Sequence, residues 1–131
     1  MLDTNICIYV MKQRPASVSR RFAACRQGEL VISAITLAEL EYGVHCSSVA
    51  SHKQNRRALD TLLTLVPAVP FNQSAAHAYV TVKAAVPERK QDALDKLIAS
   101  HAKSLNLILV TNNMSDFQHY PGIKLENWVA K

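Results

Sequence analysis

The sequence predicts an α/β domain built on a parallel sheet. Amphipathic helical stretches alternate with short apolar runs along the chain, and the most strand-like of those runs is continuous and β-branched. No linker, repeat or low-complexity tract interrupts the alternation, so the 131 residues predict one domain spanning 1–131.

Each element has a local reason. Met1-Leu2 reads as the last residues of a first strand. Residues 15–25 form an amphipathic helix, with Pro15 at its first turn and Gly28 just past its end. Leu30-Val31-Ile32-Ser33 is a short buried strand, and Thr36-Leu37-Ala38-Glu39 starts a helix that runs through Leu40, Tyr42 and Val44. A further helix over 52–65 sets Arg56 and Arg57 on one side and Leu59, Leu62 and Leu63 on the other. Residues 65–69 make a strand that Pro67 confines to an edge or bulge. Helices over 75–85 and 92–105 follow, the second with Leu94, Leu97, Ile98 and Leu105 as its apolar members. The run Leu107-Ile108-Leu109-Val110-Thr111 then has the pattern of a central parallel strand covered on both faces.

Composition bounds the function. Lys and Arg number 15 against 10 Asp and Glu, a net charge of +5, with an isoelectric point near 9.3. That balance favours polyanions such as RNA or DNA. No apolar run approaches the roughly 18–20 residues of a spanning helix, and no basic-then-apolar leader opens the chain. The expectation is a cytoplasmic protein with reduced thiols, since Cys7, Cys25 and Cys46 are odd in number and lack a CxxC pair. All three are expected to be buried as small apolar residues. His45, His52, His77 and His119 form no metal-ligand spacing, so zinc is not supported. Phe117 and Trp128 read as core residues, and His101 as packed or exposed rather than catalytic. With only three glycines, a Gly-rich phosphate loop is excluded.

The few carboxylates sit in informative places. Asp3 follows the first strand, Asp116 comes one turn after the strongest strand, and Glu39 and Asp95 lie in first turns of helices. Ligands of open α/β sheets bind outside the carboxyl ends of the strands, so these four acids can converge on one cleft. Clustered carboxylates repel, and a divalent cation is the simplest way to hold them together. Oxygen-only ligands favour Mg²⁺ or Mn²⁺, and acids within a basic protein suit metal-assisted hydrolysis of a phosphodiester. Local readings stand beside this one. Thr36-x-x-Glu39 matches a capping box, Asp92 and Asp95 suit a helix N-terminus, Asp3 suits an N-cap, and Asp116 suits a loop.

Met1-Leu2-Asp3-Thr4-Asn5 resembles the opening of PIN-domain ribonucleases, most closely the VapC toxins of bacterial type II toxin–antitoxin pairs. Residues 33–43 (SAITLAELEYG) are similar to that family's second acidic motif, residues 95–102 to its third, and residues 109–113 with Asp116-Phe117 to its fourth. Glu126-Asn127-Trp128 is similar to the tail of the enterobacterial branch. The resemblance implies a three-layer α/β/α fold with a mostly parallel central sheet. It implies that Asp3 and Asp95 hold the metal, that Glu39 and Asp116 complete a catalytic acidic set, and that Asn5, Thr111 and Asn113 support it. It further implies a Mg²⁺ or Mn²⁺ cofactor and cleavage of initiator tRNA in the anticodon stem-loop, inhibiting translation. The partners implied are a VapB antitoxin, toxin dimers, and operator DNA reached only through the antitoxin.

The chain departs from the pattern in three places. It starts closer to Asp3 than relatives do, it carries Gln91-Asp92-Ala93-Leu94 where relatives often have a Gly-Pro type turn, and it has Asn113 where some have Asp. Arg56, Arg57, Lys83, Arg89, Lys90 and Lys96 are the candidate RNA contacts, with a solvated helix face as the alternative for each. A non-catalytic PIN-like module binding RNA or protein is the alternative function. A haloacid-dehalogenase-type phosphotransferase is discounted because Asn5 stands where that group needs a second Asp.

Overall fold

The computed structural model describes residues 1–86 and 92–130. Their helices are α1 (Thr4–Lys12), α2 (Ala16–Ala24), α3 (Ala34–Cys46), α4 (Val49–Leu65), α5 (Gln73–Ala85), α6 (Ala93–Ser104) and α7 (Met114–Phe117). The strands are β1 (Ile32–Ser33), β2 (Ala68–Val69), β3 (Ile108–Val110) and β4 (Lys124–Glu126). β1 pairs in parallel with β2, and β3 in parallel with β4. Residues 1–3 join the two pairs. Leu2 forms a parallel bridge with Val110, and its amide donates to the Val31 carbonyl at 3.0 Å. The Asp3 amide donates to Val110 at 2.9 Å, and the Val110 amide to Met1 at 2.8 Å. The spatial order is therefore β2, β1, residues 1–3, β3, β4.

Side chains alternate across this sheet. Leu2, Ile32 and Val110 belong to one apolar cluster with Ile6, Val18, Leu40, Leu59 and Trp128. Their neighbours Met1, Val31 and Leu109 belong to a second, with Val82, Ile98, Ala102 and Phe117. A period of two that feeds both clusters is what a sheet covered by helices on both faces requires, and it makes the three layers. Trp128 and Phe117 are core residues, as expected.

Several boundaries differ from the sequence reading. α1 falls on a β-branched run, Ile6 to Val10, whose low helix propensity is overridden by Ile6 and Cys7 packing into the core. α3 starts at Ala34 with Ser33 as its N-cap, accepting from the Ile35 amide at 3.0 Å. The capping box is thereby overturned: Thr36 and Glu39 lie inside the helix, and Glu39 caps nothing. α7 is a single helical turn where a loop is expected, and β4 is an edge strand too short to leave a periodic signature. Cys46 is exposed on the last turn of α3, contrary to expectation, while Cys7 is buried and Cys25 is half-buried. Among the described residues no helix is long and apolar enough to cross a membrane.

Candidate active site

The carboxyl ends of residues 1–3, β1 and β3 open at one edge of the sheet, and the acids gather there. Asp3 ends the first segment and caps α1, its Oδ1 accepting from the Thr4 amide at 2.7 Å. Its Oδ2 accepts from the Thr111 hydroxyl at 2.8 Å. Thr111 is fully buried just past β3, and its Oγ1 also accepts from the Asn113 amide at 2.9 Å. Asp3 is itself only 3% exposed. Burial pushes its carboxyl above the usual range, against the two hydrogen bonds that favour its charge.

Glu39 reaches the site from the second turn of α3. The Thr4 hydroxyl donates to its Oε1 at 2.7 Å and lies 3.3 Å from Thr36 Oγ1. Asp95, in the first turn of α6, is pushed up to about 7 by burial first, and then by the charges of Asp3, Glu39, Asp116 and Asp92. Asp116, in α7, accepts from the Asn113 side-chain amide at 3.0 Å. Four acids between 21 and 113 positions apart in pairs thus stand within electrostatic reach of one another.

The charges of Asp3, Glu39 and Asp116 disfavour the ionised form of Asp95. Among the described residues no group of three His, Cys, Asp or Glu side chains is drawn together tightly enough to grip an ion jointly. The donor set nevertheless suits a small hard cation. It is all oxygen, and Mg²⁺ keeps several waters while taking only one or two carboxylates.

The other expected positions divide. Asn5 is exposed, and no hydrogen bond joins it to a carboxylate among the described residues; its neighbour Thr4 makes those bonds instead. Lys96 is corrected as an RNA contact. It is 1% exposed, and its Nζ lies 3.4 Å from Asp92 Oδ2 one turn earlier, so the charge is spent inside the fold. Asp92 caps no α6 amide with its side chain, which turns to Lys96. Arg56 is bound by Glu41 and Asp60 on the surface. Arg57 lines a groove between α1, α2 and α4, and Lys83 Nζ lies 5.8 Å over the Tyr79 ring. Arg89 and Lys90, like Gln91, lie outside the described residues.

Thr4, Thr36 and the buried pair Ser33–His101 are contributors that residue patterns do not reveal. His101 Nδ1 is 2.7 Å from Ser33 Oγ, and the ring also hydrogen-bonds the Pro70 carbonyl. Burial lowers the His101 pKa, so the ring is neutral and ties α6 to the start of α3.

Comparison with known proteins finds relatives for the chain and its fold. The PIN domain family profile matches residues 1–123. The chain is 36% identical over 130 residues to the tRNA(fMet)-specific endonuclease VapC of Shigella flexneri, covering 98% of this chain and 96% of that one. It is 37% identical over 134 residues to ribonuclease VapC2 of Rickettsia felis, with the same coverages. The crystal structure of Rickettsia felis VapBC2 bound to a DNA fragment from its promoter superposes with a TM-score of 0.85 at 34% identity, covering 98% of both chains.

Proposed function

The chain belongs to the PIN-domain family, as one of its VapC ribonucleases, and from that premise we propose that it is a Mg²⁺-dependent toxin that cleaves initiator tRNA in the anticodon stem-loop and so halts translation. The observation that carries the reading is the meeting of Asp3, Glu39, Asp95 and Asp116 at one sheet edge, inside a protein of net charge +5. Such a site attracts a phosphodiester from a distance and repels it at the centre, unless a cation lies between.

Asp3 and Asp95 would hold the cation. Bound there, a divalent ion supplies Lewis acidity at a phosphate oxygen and makes water a better nucleophile. The chain's own groups do the rest. Thr111 and the Thr4 amide hold both Asp3 oxygens, so that carboxylate cannot rotate away. Thr4 occupies Glu39 Oε1, leaving Oε2 to orient the attacking water and take its proton. Asn113 steadies Asp116 at the rim.

An antitoxin partner follows from the same reading, because the Rickettsia felis neighbour is a VapBC complex. The groove between α1, α2 and α4 suits its apolar segment, with Val10, Met11, Phe22 and Leu62 in a wall of about 440 Å³. An adjoining cavity, also floored by Met11, has Glu39 in its lining, so a segment seated there reaches the acids. Toxin dimers and operator DNA bound through the antitoxin belong to the same proposal, as does the bacterial cytoplasm as its place of action.

The test is incubation of purified chain with a total tRNA pool, with Mg²⁺ or EDTA, and sequencing of product ends. One discrete cut in initiator tRNA is expected, lost with EDTA and in Asp3→Ala while circular dichroism stays native. Full activity in Asp3→Ala would overturn the assignment. RNA binding without cleavage in either buffer would favour the non-catalytic module.

A further inference from the structure

A third cavity, with polar side chains in its lining, is joined by hydrogen bonds to the acidic site, and we propose that it is a phosphate-binding subsite for the RNA strand flanking the scissile bond, with Arg20 as its principal contact. The proposal rests on the ribonuclease reading above. The cavity encloses about 250 Å³ between α2 and the chain after β4, lined among others by Ser17, Arg20, Arg21, Asn127 and Trp128.

The lining is prearranged and offers donors. Glu126 Oε1 accepts from Trp128 Nε1 at 2.7 Å and is also paired with the Arg21 guanidinium. Arg21 therefore lies fixed, its Cζ 5.7 Å from the Trp128 ring centroid. With that ring covered and Trp128 only 4% exposed, no aromatic face is left for a base to stack on. The single carboxylate is already answered by two donors. Ser17 Oγ accepts from the Ala130 amide at 3.0 Å, which leaves its hydroxyl hydrogen free to donate. Arg20 is exposed and has no hydrogen-bond or ion-pair partner among the described residues. An exposed guanidinium beside a fixed one, with a hydroxyl and an amide, is chemistry for a phosphate rather than a base.

The cavity is also tied to the reaction centre. Asn127 Nδ2 donates to Asn112 Oδ1 at 3.3 Å. The Thr111 amide donates to the Glu126 carbonyl at 2.9 Å, and the Thr111 hydroxyl holds Asp3. One cavity wall is thus a short chain of hydrogen bonds from Asp3, the carboxylate that would hold the cation. On this proposal an RNA strand with one phosphate at the acids runs across Asn127 and sets another against Arg20. The residue patterns that suggested Lys96 as an RNA contact could not find this site, because α2 and the segment after β4 are about a hundred positions apart and Arg20 carries no motif.

The experiment is filter binding of initiator tRNA in EDTA, where cleavage is absent, across a salt series, for wild type, Arg20→Gln and Lys53→Gln. Lys53 is exposed on α4 outside the cavity wall and controls for the lost charge. Arg20→Gln is expected to weaken binding roughly tenfold, as for one charged hydrogen-bonded contact. The log–log salt slope should shrink by about 0.7–0.9, with Lys53→Gln near wild type. In Mg²⁺ the KM for tRNA should rise by the same factor with kcat unchanged. Arg20→Gln indistinguishable from Lys53→Gln in affinity and slope would overturn the subsite and leave the ribonuclease reading standing. Wild type that binds but never cuts would sink the ribonuclease reading, while the Arg20 comparison still decides the subsite. Weakened binding of a polyglutamate peptide with tRNA affinity intact would assign the cavity to an acidic protein segment and overturn the proposal.

Discussion

Asp95 carries the tension of this site. Its carboxyl titrates near 7 rather than 3.8 because it is half-buried and faces other carboxylates. Between those two values the folded protein holds a proton that the unfolded chain has released. Stability therefore falls as pH rises through that window. In metal-free protein, Asp95→Asn should melt higher than wild type at pH 8, with the gain shrinking toward zero as the pH drops to about 4. The same variant should not cleave RNA. Thermal denaturation in EDTA at a series of pH values checks this, and no gain at pH 8 would mean the acids do not crowd one another. At this scale, the candidate acids are legible in the chain, since Asp3 stands at a strand end and Asp95 and Asp116 in first turns, although Glu39 falls in the second turn of α3 rather than the first. Their supports are less so. Thr4 and Thr36 are ordinary helix residues until α1 and α3 bring their hydroxyls to 3.3 Å.

The elements are held in register by a few buried polar contacts, of which Ser33 is the most loaded. It ends β1, caps α3 and meets His101 of α6, itself at 0% exposure. Ser33→Ala removes the cap and orphans a ring nitrogen, a loss of about 1–3 kcal/mol. Urea denaturation should show it as a lower midpoint with an unchanged slope. A cost near zero would mean that α3 and α6 are positioned by apolar packing alone. Helix existence was predictable wherever an amphipathic stripe was long, as in α4 and α6. The start of α3 was not, because Thr36-x-x-Glu39 satisfies the local rule for a cap that Ser33 already supplies. α1 was hidden for the opposite reason, a β-branched run made helical by the core it enters.

Across the whole molecule, two apolar clusters share one sheet. Leu59 anchors the first and Ile98 the second, both fully buried. Because Met1 and Leu2, Val31 and Ile32, and Leu109 and Val110 feed alternate clusters, neither layer can melt alone. Leu59→Ala and Ile98→Ala should each cost about 2–5 kcal/mol and each should lower one cooperative calorimetric transition. Two separate transitions in either variant would contradict the shared-sheet account. The positive charge is likewise a property of the whole. Lys96 is spent inside and Arg56 is paired on the surface, while Arg20 lines a cavity between α2 and the chain after β4.

What the sequence by itself determined is the class of fold, the order of its major helices and strands, and four acids as candidates for one site. Those follow from periodicity, from strand ends and from ordered motifs, all of which are local along the chain. The tertiary structure alone decided which hydroxyls hold the carboxylates, that Lys96 is internal, and that Arg20 and Trp128 share a cavity. Such facts depend on contacts between residues some 4 to 108 positions apart, and the free energy of a contact is set by burial and distance that no local pattern encodes.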